Sequence, residues 1–192
     1  MNFCPRCGSK LGMKLDGGRE RPACMAEGCR FVHFGDFSFG CGAVVLCDGK
    51  ALLIQRGINP NRGAWQIPGG YVEADEEIIP GVEREVLEEA GIVAKVYDVI
   101  GVRHALGTPT ANIYVVFRLD LISGEPRYDG DETLDAGFFS MEEIGGMEQV
   151  QGFSLWSIQR AMELPRGAGM TLDETGLTTG RPGWSLFGVN GK

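Results

Sequence analysis

Residues 70–92 read Gly70-Tyr-Val-Glu-Ala-Asp-Glu76-Glu-Ile-Ile-Pro80-Gly81-Val82-Glu83-Arg84-Glu85-Val86-Leu87-Glu88-Glu89-Ala90-Gly91-Ile92. A helix over Val82–Ala90 puts Glu85, Glu88 and Glu89 at i, i+3 and i+4, on one face. Val82, Val86, Leu87 and Ala90 take the other side, the pattern of a helix docked on a core. Carboxylates on adjacent turns repel by a few tenths of a kcal/mol per pair, roughly. Arg84 is a single positive charge among four acids, counting Glu83, so a further cation is expected. An all-oxygen donor set selects a hard ion, Mg2+ or Mn2+, over zinc.

Glu-rich helix faces are commonly just solvated, and here the flanks argue otherwise. The run follows Trp65-Gln66-Ile67-Pro68-Gly69-Gly70, a short apolar strand broken by a turn that lets backbone approach a ligand closely. Gly91 closes the helix before a second apolar strand. The whole stretch resembles the signature of the Nudix (MutT-like) hydrolases, G-x5-E-x7-R-E-U-x-E-E-x-G-U with U aliphatic, and every fixed position is filled. The resemblance covers about Phe37 to Leu164. It implies an α/β class fold, an α/β/α sandwich around a mixed sheet, and cleavage of a nucleoside diphosphate linked to another group. Carried over residue by residue, it makes Glu88 and Glu89 metal ligands, with the Gly70 carbonyl a third. Glu85 becomes a ligand or the base, Arg84 orients it, and Glu76 orients rather than reacts. Pro80-Gly81 departs from the family pattern, since proline costs roughly 3 kcal/mol inside a helix. With Asp75 as N-cap, Pro80 would fall in the second turn, so the helix is expected either to begin irregularly or to start at Pro80.

Cys4-Pro-Arg-Cys7 and Cys24-x4-Cys29 form a second signal. Two close pairs are the spacing of a tetrahedral Cys4 zinc site, Cys4, Cys7, Cys24 and Cys29. The alternatives are two disulfides, or His33 in place of Cys29. No apolar leader precedes Cys4, so a reducing cytoplasmic location is expected and disulfides are disfavoured. About 33 residues cannot build a sufficient core, and metal would supply the missing stability. This ribbon, residues 1–33, carries +3 in a chain of net −8, leaving −11 for the rest. Clustered Lys and Arg can touch RNA phosphates, although only Phe3 and Phe31 offer stacking rings. A structural cap or dimerisation element is the plainer use. A ribbon ahead of this box resembles the layout of bacterial NADH pyrophosphatases and of some FAD or ADP-ribose hydrolases.

With 192 residues and 43% hydrophobic content, the chain can bury one sizeable core. No apolar run is long enough for a membrane span. Strands are expected at Phe39–Leu46 and Ala51–Arg56 around an Asp48-Gly49 turn, then at Ile92–Val102 and Asn112–Leu121. Phe138-Phe139-Ser140 leads into a short turn of helix, and Phe153–Glu163 has helical spacing. Residues 165–192 read as an irregular Gly-rich tail, giving a partition of 1–33, 37–164 and 165–192. Cys41 and Cys47 read as buried small hydrophobes.

Pyrophosphate resists water because its oxygens repel a nucleophile. Divalent ions held by Glu85, Glu88 and Glu89 would neutralise that charge and acidify a bound water. A further carboxylate, as base or ligand, is sought in Asp129-Gly-Asp131-Glu132, and Glu132 resembles the downstream acid of some relatives. Arg56 and Arg103 are phosphate candidates, and Trp65 either stacks on a base or packs in the core. The Ser-Gln-Pro-Trp-Pro-Phe-Pro array of the NADH subgroup is absent. ADP-ribose or FAD therefore moves ahead of NADH, with Pro109 a hint of the ADP-ribose type. The partner is a nucleotide-type small molecule, and homodimers are common among relatives. The reading from another class is a ligand-sensing or RNA-interacting module that kept the fold.

Overall fold

A computed structural model describes residues 1–106, 111–172 and 185–189. Two compact units emerge, one built on Met1–Phe37 and the other beginning at Ser38. In the first, β1 (Leu11–Asp16) and β2 (Arg19–Cys24) pair antiparallel in register from Leu11 with Cys24 to Asp16 with Arg19. The tight turn between them is Gly17-Gly18, both at positive φ, which glycine adopts without strain.

The second unit rests on a hairpin of β3 (Phe37–Cys47) and β4 (Lys50–Arg56), turned at Asp48-Gly49 with φ of 49° and 75°. These strands are buried on both faces, which is why they read as apolar runs rather than as an alternation. Cys41, Ala43, Val45, Leu52 and Ile54 face a core shared with Val82, Val86 and Ala90 of α1 (Ile78–Ala90). Val44, Ala51 and Leu53 face a second core with Ile144 of α2 (Met141–Gly145) and with Ile158 and Ala161 of α3 (Gly152–Glu163). This is an α/β/α sandwich.

The remaining strands are β5 (Trp65–Gln66), β6 (Gly69–Tyr71), β7 (Val93–Ala105), β8 (Ala111–Ser123), β9 (Thr133–Phe139), β10 (Met170–Leu172) and β11 (Phe187–Val189). The nine-stranded sheet runs β11-β10-β7-β8-β3-β4-β5, with β6 on β3 and β9 on β4. The β7–β8, β4–β9 and β3–β6 pairs are antiparallel, and a parallel bridge joins Trp65 to Val150. No described helix is long and apolar enough to cross a membrane.

Helix α1 begins two residues before Pro80, with Glu77 rather than Asp75 as the N-cap residue. Pro80 thus sits in the first turn, where backbone N–H groups have no partner inside the helix and proline forfeits nothing. Gly91 at φ 68° ends it, its N–H donating to the Leu87 carbonyl at 2.9 Å. Leu87 is a correction: it is 50% exposed, so the buried stripe of α1 is Gly81, Val82, Val86 and Ala90. Strand β9 was legible only at its Phe138-Phe139 end, because Asp135 and Gly137 weaken the pattern and pairing along β4 supplies the order. The expectation of an irregular tail also fails for Met170–Leu172 and Phe187–Val189, which pair with each other, while Met170 pairs with Val99 of β7. Pro109, singled out in the sequence, lies outside the described residues.

Candidate active site

Helix α1 places Glu85, Glu88 and Glu89 on one side, and β6 lies beside them. A Cβ on Gly70 would stand 2.7 Å from the Glu85 carboxylate, so only glycine lets that acid rest against the strand. The Gly69 N–H donates to Glu89 Oε2 at 2.7 Å. Arg84 gathers the rest: Nε and Nη2 donate to Glu76 at 2.9 and 3.0 Å, and Nη1 donates to Glu85 at 3.1 Å and to Glu88 at 2.8 Å. A Cβ on Gly81 would meet the Glu76 carboxylate at 3.0 Å. A side chain at position 81 would crowd the Glu76 carboxylate that Arg84 holds. Glu83 leaves the cluster, its carboxylate accepting from Lys95 Nζ and from the Val96 N–H.

Burial raises the Glu85 carboxyl above its ordinary value, against the lowering effect of Arg84. Burial pushes Glu89 further, to about 8, opposed by the Gly69 N–H and reinforced by Glu85 and Glu132. Arg84 holds Glu76 below the usual carboxylate range. Two half-buried acids that resist ionisation rest against Gly70 and Gly69, a spot short of positive charge.

Glu132 is exposed at the start of β9 and lies close enough to Glu89 to act on its charge. Its neighbour Asp129 is spent on structure, accepting from the Asp131 N–H at 2.9 Å and the Thr133 N–H at 3.0 Å. Gly57 packs on the Asp131-Glu132 backbone, its N–H donating to the Glu132 carbonyl at 2.6 Å, which sets Glu132 beside Arg56.

A cleft of about 420 Å3 opens from Gly69 and Gly70 and takes in Arg56, Gln66, Arg103, Tyr114, Gln151 and Phe153. Both predicted phosphate candidates line it. The Arg103 guanidinium lies 5.0 Å from the Tyr114 ring and 4.7 Å from the Phe153 ring, with Nη2 on Asn112 Oδ1. Its Nε is buried with no partner among the described residues. Trp65 packs edge-on against Phe139 at 5.2 Å in the second core, so core packing is its use. Gln66, Tyr114, Gln151 and Phe153 were not singled out by sequence, because they come from three separate elements whose meeting no local spacing encodes.

In the first unit, the Sγ atoms of Cys4, Cys7, Cys24 and Cys29 all lie within 4.8 Å of one another. Among the described residues this is the only group of at least three such ligand atoms so gathered; the helix acids are spread between Arg84 and Gly69. No disulfide joins these cysteines: the Cys4–Cys29 and Cys7–Cys24 sulfur separations are 3.8 and 3.4 Å. Hydrogen bonding to Ser9 brings the Cys7 thiol down to about 6. His33 lies 3.8 Å from Asp36.

A family model of the NUDIX domain matches residues 39–156. The chain belongs to the NUDIX family. This NUDIX chain is 38% identical over 103 residues to the ADP-ribose pyrophosphatase of Methanocaldococcus jannaschii, covering 53% of the chain and 60% of that protein. It is 29% identical over 147 residues to the NAD-capped RNA hydrolase NudC of Vibrio cholerae, covering 75% of the chain and 51% of that protein. The chain thus spans between half and two thirds of the length of these curated relatives. A NUDIX hydrolase from Nitrosomonas europaea superimposes with a TM-score of 0.71 at 28% identity, over 85% of this chain and 91% of that one. The NUDIX match spans both sides of the sandwich, from β3 to α3, and four gathered thiols precede it.

Proposed function

We propose that the chain is a Mg2+- or Mn2+-dependent hydrolase that cleaves the pyrophosphate bond of a nucleoside diphosphate linked to another group, with ADP-ribose or FAD favoured over NADH. One observation carries this reading. Glu85 and Glu89 are pressed against the Gly69-Gly70 backbone at the mouth of the cleft, with Arg84 holding Glu85 and Glu88 in place. The donors are all oxygen and the Gly70 cradle has no room for a Cβ, which suits hard divalent ions on Glu85, Glu88, Glu89 and the Gly70 carbonyl. Bound there, such ions supply charge neutralisation and an acidified water. Arg84 aims Glu85 and Glu88. Arg56 and Arg103, both on the cleft lining, take phosphate oxygens. Glu132, whose side chain is exposed and acts on the charge of Glu89, completes the site as base or ligand.

The resemblance to an ADP-ribose pyrophosphatase supports the substrate class. The four gathered thiols support a structural zinc ion in a ribbon of residues 1–33, ahead of a hydrolase domain of residues 37–164. Purified protein with Mg2+ is expected to release AMP from ADP-ribose, FAD or a dinucleotide panel, and to contain one zinc per chain. Absence of turnover on all of them would favour the sensing module; metal analysis without zinc would remove the ribbon assignment.

A further inference from the structure

Two amides in the cleft have no task in the reaction as described. Gln66 on β5 is only 9% exposed, and its Oε1 accepts from Gln151 Nε2 at 2.6 Å. Backbone holds the two side by side: the Trp65 N–H donates to the Gln149 carbonyl at 3.1 Å, and the Gln151 N–H donates to the Trp65 carbonyl at 2.9 Å. A second tie, from the Ile67 N–H to the buried Ser154 Oγ at 3.1 Å, fixes the start of α3 to the same segment. Gln151 is the N-cap residue of α3, yet its side chain makes no capping bond and turns to Gln66 instead.

One hydrogen bond uses half of each amide. The Gln66 NH2 and the Gln151 carbonyl are left without partners among the described residues, and both residues line the cleft. Turning both amides over leaves the same remainder, one NH2 and one carbonyl. The cleft therefore displays a donor and an acceptor next to each other on a rigid frame. These free halves open onto the cleft, and a site built to hydrogen-bond a ligand edge discriminates against ligands that lack it.

We infer that Gln66 and Gln151 are the specificity-determining pair of this site. They read a planar ring bearing a neighbouring acceptor and donor, either the ring nitrogen and amine of adenine or the carboxamide of a pyridine ring. The inference rests on the nucleotide-hydrolase reading above. The two sources are separated by substrates that carry one feature each: ADP-ribose has only the adenine edge, and a nicotinamide–purine dinucleotide has only the carboxamide. The 6-deamino purine analogue of ADP-ribose keeps the ring nitrogen but has neither the amine nor a carboxamide, and is the control.

Steady-state kinetics of the wild type, Gln66→Met, Gln151→Met and the double variant should show KM rising at least about 10-fold for the substrate whose edge is read. Turnover number should stay within about twofold and the control should change least, with the double variant no worse than either single one. A KM change confined to ADP-ribose assigns the pair to adenine; one confined to the dinucleotide assigns it to the carboxamide. Unchanged KM on both overturns the inference. Calorimetric binding of the same compounds reads the pair even if none is hydrolysed, so loss of the hydrolase reading and loss of this one are distinct results. If Gln66→Met fails to fold, the half-buried Gln151 carries the test alone.

Discussion

Two arginine clusters in the second unit use the same chemistry to opposite ends. Arg118 is 8% exposed and spends its N–H donors completely: Nε and Nη2 on Asp98 at 2.9 and 2.5 Å, Nη1 on the Ala161 and Leu164 carbonyls, and Nη2 again on the Pro165 carbonyl. One cation meets one anion, and the spare donors close the C-terminus of α3. Arg84, at the rim, faces three carboxylates with one charge. The balanced cluster is structural. The overloaded one sets three carboxylates against one cation, and that imbalance is what the proposed metal site draws on.

The comparison breaks most visibly at the brace. Asp98→Ala strands Arg118 without a counter-ion, and denaturant unfolding should record a loss of about 3–5 kcal/mol, while any protein that stays folded keeps its turnover number. Glu88→Gln touches only the rim, so stability should hold and turnover should fall at least roughly 100-fold, about 2.7 kcal/mol of barrier; unchanged rates would take Glu88 out of the site. Arg84→Met sharpens the contrast with Arg118, with turnover down about 10-fold and a stability change under about 1 kcal/mol, because its bonds are half-exposed. The smallest effect belongs to the capping box of α2, where Ser140 and Glu143 exchange hydrogen bonds. Ser140→Ala should cost about 1 kcal/mol. The Ser140 N–H, its hydroxyl and Lys50 hold the Glu143 carboxyl below 4.5. That contribution is therefore present above pH 4.5 and lost as pH falls through the lowered folded value; the variant keeps the N–H and Lys50, so acid titration of its melting temperature should flatten only in part.

How much of this was legible follows the range of the interactions. The acids of α1, the Gly91 terminus and the cysteine pairs were readable because helix period, a left-handed cap and metal geometry act over a few residues. Leu87 was misassigned because a stripe drawn on a helical wheel cannot say how wide the covering surface is. Strands β9, β10 and β11 went largely unread, since pairing across the sheet, not their own composition, orders them.

Spacing along the chain was enough to announce a carboxylate helix after a glycine turn, a thiol quartet and a two-faced apolar hairpin, since each is a local consequence of backbone geometry. Only packing decided that Arg118 is a brace, that the Glu76 carboxylate lies over Gly81, and that Gln66 meets Gln151 in the cleft. Those contacts join residues up to 85 positions apart, and no periodicity reaches that far.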